Sequence, residues 1–157
     1  MSTTGTTTEP VDTRSQAEYN GLCNERSSAS SQIDASEARI ADYEAKIELL
    51  ETAYSSVKTA KDNIEEQWRT DVKKCYNDYN DDGYEWAGKA YDEVESEVSQ
   101  FICWHFEDII DNIDDVLDEI NLEIARYENL IIEEEGILVG LRTWWNNLCT
   151  KIANYWN

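Results

Sequence analysis

The chain has 157 residues, of which 34 are acidic and 13 basic, so its formal net charge at pH 7 is −21. A negative field of this size repels nucleic-acid phosphates and anionic lipid headgroups, which excludes nucleic-acid binding and disfavours a membrane as partner. Apolar residues make up 41% of the sequence, which argues against a disordered chain. A single Pro and six Gly leave few places to turn, so we expect few and long elements in one domain.

Residues 1–12 are polar and rich in Thr, so we predict a disordered tail there and a single domain over residues 13–157. The N-terminal residues contain no apolar run, and no stretch approaches the roughly 18 apolar residues that a membrane span requires. These features predict a cytoplasmic protein. The four cysteines stand singly and form no CxxC pair, which favours reduced thiols packed as small apolar residues.

A heptad pattern of apolar residues predicts a first helical arm over about residues 13–79. The apolar positions alternate at three- and four-residue spacings, and the positions between them are mostly charged or polar. Residues 31–79 contain neither Gly nor Pro, so nothing in them interrupts a helix. Residues 80–88 begin with Asn-Asp-Asp-Gly, a run of turn-forming residues, and predict the turn.

The helical period resumes in a second arm over residues 89–157. Its apolar row is predicted to pass through Phe101 and His105, to shift through Ile109 and Ile113, and to continue regularly from Leu117. Further apolar residues should widen this face beyond what one antiparallel neighbour can cover: Ile102, Trp104, Phe106, Ile110 and Val116. The predicted fold is therefore all-α, a long antiparallel two-helix hairpin with the turn between its arms.

The end of the second arm differs in chemistry from the rest. Gly136 and Gly140 weaken the helix and predict a kink or a break there. Residues 107–135 include twelve acidic residues, whereas residues 136–157 include none and contain three Trp. The apolar residues of this tail predict a partner-binding surface: Leu138, Leu141, Trp144, Trp145, Leu148, Ile152 and Trp156. The alternative, docking on a membrane surface, is disfavoured by the acidic stretch that precedes the tail.

Trp86, Ala87 and Gly88 directly follow the predicted turn. A helical hairpin with Trp-x-Gly at its turn resembles the WXG superfamily of type VII (ESX-type) secretion proteins. The chain looks most like the YwqH-like family, in residues 86–92 and in residues 113–129 (IDDVLDEINLEIARYEN). The resemblance covers about residues 30–157 in pattern.

This resemblance implies a helical adaptor or chaperone that binds an LXG-type toxin or another WXG-like partner for type VII secretion, without a signal peptide. Trp86 and Gly88 would be the recognised motif. Such proteins also use a Tyr-x-x-x-Asp/Glu export signal, which normally follows the second helix. Here the only match is formed by Tyr91 and Glu95, directly after the Trp-x-Gly, and the tail has none.

Asp78, Asn80 and Asp82, followed by a Gly, match the first half of an EF-hand loop. Lys89 stands where the loop requires a bidentate Glu, so an acidic solvated turn is favoured over a Ca²⁺ site. No nucleophile–base pair, phosphate loop or zinc spacing is present, so we predict neither an enzyme nor a cofactor. Two alternatives to the adaptor stay open: a self-associating coiled-coil structural protein, such as a homodimer, and a Ca²⁺-responsive helix-loop-helix module.

Overall fold

Two long helices that pack against each other make up the part of the protein that the structure, a computed structural model, describes: residues 15–72 and 89–157. Helix α1 spans Gln16–Gln67 and continues into a π-helical turn, Trp68–Val72. Helix α2 spans Lys89–Ala153. Neither described range contains a strand, and the predicted all-α hairpin is confirmed. The predicted tail (1–12) and turn (80–88) lie outside the described residues.

The start of α1 is set by a local hydrogen-bond pattern that the sequence also encodes. The backbone N–H of Glu18 donates to the Ser15 hydroxyl oxygen (3.2 Å), and the Ser15 N–H donates to the Glu18 carboxylate (3.2 Å). This reciprocal pair is the capping box that Ser-x-x-Glu forms at a helix N-terminus. The helix therefore begins at Gln16, three residues after the predicted start of the arm.

The chain divides into two compact units, and each helix contributes to both. Unit 1 comprises Met1–Asp42 and Ile131–Asn157. In it Ser15 contacts Tyr155 and Ser36 contacts Glu134, so the helices run antiparallel. The buried residues described in this unit are apolar except for one serine: Ala29, Ser36, Leu138 and Leu148. The prediction of a single domain over residues 13–157 stays a prediction.

Helix α2 passes through Gly136 and Gly140 without interruption, so the predicted break does not occur, and a kink is not shown. A glycine inside a helix costs only about 1 kcal/mol relative to alanine. Between the two glycines Leu138 is 7% exposed. Burial of an apolar face stabilises a helix more than its intrinsic propensity does, which explains why α2 tolerates both glycines.

Unit 2 comprises Tyr43–Leu130 and is also antiparallel. The ring centroids of Tyr43 and Tyr127 lie 5.8 Å apart, and nearer the turn Trp68 stacks on Phe106 at 4.4 Å with an interplanar angle of 12°. Between these contacts Lys61 Nζ lies 2.7 Å from Asp114 Oδ2. Asp114 raises the pKa of Lys61 through this hydrogen bond. Aromatic and charged pairs thus bridge the helices between residues 43–68 and residues 106–127.

The predicted packed row of α2 is wrong in its first part and correct where it continues. Phe101, His105 and Ile109 are exposed, whereas Ile113 is half-buried and Leu117 is buried, as predicted. Phe106 and Ile110, which the predicted row did not include, are half-buried and belong to the face that packs on α1. The physical reason is the four-residue spacing of the predicted row. Successive four-residue steps drift around a helix with 3.6 residues per turn, so the face that meets α1 passes to neighbouring positions.

The predicted extra width of the apolar face is confirmed at three of the five positions. Ile102, Trp104 and Val116 are 38%, 63% and 44% exposed. Phe106 and Ile110 are half-buried, because they belong to the packed row instead. One antiparallel neighbour therefore leaves part of α2 uncovered in unit 2.

Candidate protein-interaction surfaces

A polar cluster in unit 1 ties the two helices together at Glu134, whose side chain is 13% exposed. The hydroxyl of Ser36, a fully buried residue, donates to Glu134 Oε2 at 2.7 Å. Arg39 donates through Nε to Oε1 (2.6 Å) and through Nη2 to Oε2 (2.9 Å). The Arg39 guanidinium, and after it the Ser36 hydroxyl, lower the pKa of Glu134. The carboxylate is thus engaged within the protein and is not a candidate for binding a ligand.

We expect Glu134 to make the stability of the protein depend on pH in the acid range. Its pKa lies below the ordinary 4.5 when folded, so the unfolded chain binds the proton first. The stabilisation is fully present above that ordinary value and is lost as the pH falls through the lowered pKa. Urea midpoints should therefore differ between wild type and Glu134→Gln at about pH 7, and the difference should shrink at about pH 3.

The exposed neighbour Glu133 supplies the control. Glu133→Gln removes the same charge one residue away, and we expect its urea midpoint to follow that of the wild type at both pH values. If the urea midpoints of wild type and Glu134→Gln differed by the same amount at both pH values, the pH dependence could not be assigned to the Glu134 cluster.

The C-terminal end of the chain is anchored to the start of α1. The Tyr155 hydroxyl lies 2.7 Å from Glu18 Oε2 and 3.0 Å from the Ser15 carbonyl oxygen, and it accepts a hydrogen bond from the Ser15 N–H (3.1 Å). The Tyr19 ring lies 5.6 Å from the Tyr155 ring and 5.8 Å from that of Trp156. The Tyr155 hydroxyl lowers the pKa of Glu18. Burial, and then Glu18, raise the pKa of Tyr155.

The seven residues predicted to bind a partner divide into two groups in unit 1. Leu138 and Leu148 are buried, and Leu141 and Ile152 are half-buried, because this row packs on α1. Their burial leaves little free surface for a partner. The other three side chains are exposed: Trp144 at 37%, Trp145 at 37% and Trp156 at 49%. A role in partner binding stays a prediction, and these three Trp are the residues on which it now depends.

Of the remaining predicted site residues, the structure describes only the backbone of the candidate export signal. Trp86 and Gly88 lie outside the described residues, and so does the candidate Ca²⁺ loop: Asp78, Asn80 and Asp82. Tyr91 and Glu95, the candidate export signal, fall near the start of α2. Within residues 15–72 and 89–157, no group of three or more His, Cys, Asp or Glu side chains could hold a metal ion. In the same ranges, neither helix is apolar over a stretch long enough to cross a bilayer.

Sequence analysis missed several exposed apolar residues of α2. They lie between the heptad positions, where a two-helix hairpin in water usually carries charge. The sequence signal that could have identified them is an apolar residue at a position outside the predicted heptad row. These residues are Leu122, Ile132, Ile137 and Val139, with exposed fractions of 50% to 71%.

No protein-family model, no curated protein and no solved structure matches this chain. The family resemblance therefore stays an expectation from the Trp-x-Gly motif and the hairpin, and any function has to be argued from the surfaces themselves.

Proposed function

We propose that this protein is a helical adaptor or chaperone that binds an LXG-type toxin, or another WXG-like helical protein, for type VII secretion. The observation that supports the proposal best is the exposure of Trp144, Trp145 and Trp156 at one end of a two-helix hairpin. The class of partner comes from the Trp-x-Gly motif, through the resemblance that it carries. The antiparallel hairpin agrees with the fold that this resemblance implies.

Exposed tryptophans suit a protein–protein contact for a physical reason. Trp buries a large rigid area and loses little conformational entropy when it is immobilised, which is why it is enriched among the residues that dominate binding energy. Trp144 and Trp145 are consecutive residues of α2, and residues 136–157 contain no acidic residue. This segment is therefore the part of an acidic chain where a partner helix approaches with the least electrostatic repulsion.

The basic residues of the tail support the same interpretation. Arg142 Nη2 lies 2.8 Å from Glu37 Oε1, an ion pair within unit 1 between two exposed side chains. Such surface pairs contribute little to stability and exchange readily with other carboxylates. A partner could therefore compete for Arg142 at small cost. The rest of the chain, with its large negative charge, keeps the free adaptor soluble until the partner is made.

The experiment that tests the proposal is co-expression with the product of the neighbouring gene, followed by affinity purification and mass determination by light scattering. We expect a stable complex of the two chains, and we expect Trp145→Ala to weaken it about tenfold or more. Leu49→Ala is the control, because Leu49 is a 70% exposed apolar residue that lies in α1 and in unit 2. That variant should retain the complex.

Two results would contradict the proposal. If the protein runs alone as a homo-oligomer and ignores the neighbouring product, it is a self-associating coiled-coil protein instead. If Trp145→Ala and Leu49→Ala weaken the complex equally, the tail is not the binding surface.

A further inference from the structure

Helix α2 carries a second row of residues at heptad spacing in unit 2, beside the row that packs on α1. The steps between its members are three, four, three and four residues, as in the seam of a coiled coil. We call this row the second seam: Ile102, His105, Ile109, Asn112 and Val116. Its three aliphatic residues are 38%, 50% and 44% exposed, and His105 and Asn112 are exposed too.

Helix α1 does not cover the second seam, because the side chains of α1 contact other residues of α2. Trp68 stacks on Phe106, and Lys61 pairs with Asp114. The residues that the structure describes thus leave apolar side chains in water at positions typical of a helix–helix contact. At the aromatic end of the seam, the centroid of the His105 ring lies 4.0 Å from that of Phe101 and 5.0 Å from that of Trp104.

The charges beside the second seam indicate what can cover it. Asp108 and Asp115 immediately precede Ile109 and Val116, and both are exposed. In a coiled coil the residue in that position faces the flank of the partner helix, where an opposite charge favours pairing. Residues 100–120 contain seven acidic residues and no Lys or Arg. A helix with Lys or Arg along its flanks therefore complements this surface.

The same charges disfavour a second copy of this chain as the occupant. Each copy has a formal charge of −21, and a symmetric contact would bring two acidic segments of this kind together. Asn112 adds selectivity, because a polar seam residue favours a partner helix with a polar residue opposite it and penalises an apolar one.

We propose that the second seam is a docking surface for a basic amphipathic helix of another protein, which adds a third helix to unit 2. This inference rests on the proposed function and deepens it, since it names a contact face and the chemistry of the partner. The three Trp of the tail are a separate surface in unit 1, so the two surfaces can be tested independently.

The probe is a pair of synthetic peptides of about four heptads. Both carry Leu or Ile at the seam positions and one Asn, and they differ only at the flanking positions, which are Lys in one peptide and Glu in the other. Each is fluorescently labelled and titrated with the full chain at low salt, with anisotropy as the readout. We expect the Lys peptide to bind, the Glu peptide to bind at least tenfold more weakly, and added salt to weaken binding of the Lys peptide.

Variants of the chain separate seam docking from general attraction between charges. Ile109→Lys should weaken binding of the Lys peptide at least tenfold, and the milder Ile109→Ala should weaken it several-fold. The matched control is Ile132→Lys, which makes the same change on the same helix at a residue that is 64% exposed and lies in unit 1. It should bind within about twofold of the wild type, and circular dichroism should show equal helicity in all variants.

Three results would overturn the inference: absence of binding by the Lys peptide, equal losses in Ile109→Lys and Ile132→Lys, or a wild-type homodimer that Ile109→Lys abolishes. The last would identify a second copy as the occupant. Failure of the proposed function looks different. Peptide binding that depends on Ile109, without a complex with the neighbouring product, supports the docking surface alone. A complex that depends on Trp145 but not on Ile109 supports the adaptor and rejects the second seam.

Discussion

Leu148→Ala should lower the free energy of unfolding by about 2–4 kcal/mol. Leu148 is 2% exposed and is the largest fully buried side chain among the residues that the structure describes. Its truncation removes buried apolar area and leaves a cavity between two helices held in place by contacts on either side. Tyr155 with Ser15 lies on one side, and Glu134 with Ser36 on the other. Because these contacts restrict collapse of the helices around the gap, most of the cavity cost should remain.

Urea unfolding followed by circular dichroism measures this effect. Val139→Ala is the matched control, since Val139 lies in the same helix and the same unit but is 65% exposed. We expect it to change the free energy of unfolding by no more than about 0.5 kcal/mol. If Leu148→Ala also changed the free energy of unfolding by no more than that, Leu148 would not be packed between α2 and α1.

Ala29→Leu should destabilise the protein by about 1–3 kcal/mol, although leucine forms helices almost as well as alanine. Ala29 is 0% exposed on the face of α1 that meets α2 in unit 1. The larger side chain has no space there unless it adopts a strained rotamer or moves the helices apart. The loss is therefore one of packing and not of helix propensity.

The control for this prediction is Ala38→Leu, which makes the same substitution at an exposed position of α1 in the same unit. We expect its thermal midpoint and its free energy of unfolding to stay near those of the wild type, within about 0.5 kcal/mol. Equal destabilisation by the two substitutions would show that Ala29 is not at a close helix–helix contact.

The destabilising substitutions and the binding substitutions act on different residues, which makes the two kinds of experiment independent. Leu148 and Ala29 are buried within unit 1, whereas Trp145 is 37% exposed there and Ile109 is 50% exposed in unit 2. Ile109→Lys should leave the hairpin intact, because half of the Ile109 side chain is already in water. Trp145→Ala also removes the buried part of a large side chain, so circular dichroism of that variant has to show unchanged helicity before its loss of binding is attributed to the surface.

The sequence by itself determined the helices and the hairpin. Apolar residues at three- and four-residue spacing define a helical face over both arms, and the absence of Gly and Pro in residues 31–79 leaves α1 uninterrupted. These signals are local, because they depend on the periodicity of one segment and on its own backbone. The Ser15–Glu18 capping box is a local signal of the same kind, and it would have placed the start of α1 from sequence.

Only the tertiary structure decided which apolar face each part of α2 buries. Residues 101–117 carry two rows of suitable spacing, and periodicity cannot rank them because both satisfy it. The choice depends on side chains of α1, such as Trp68 against Phe106, that are distant in sequence. The same reason applies to the tail, where contact with α1 buries Leu138 and Leu148 and leaves Trp144 and Trp145 exposed. A helical pattern shows that a face is apolar, but burial is a property of the pair of helices that meet.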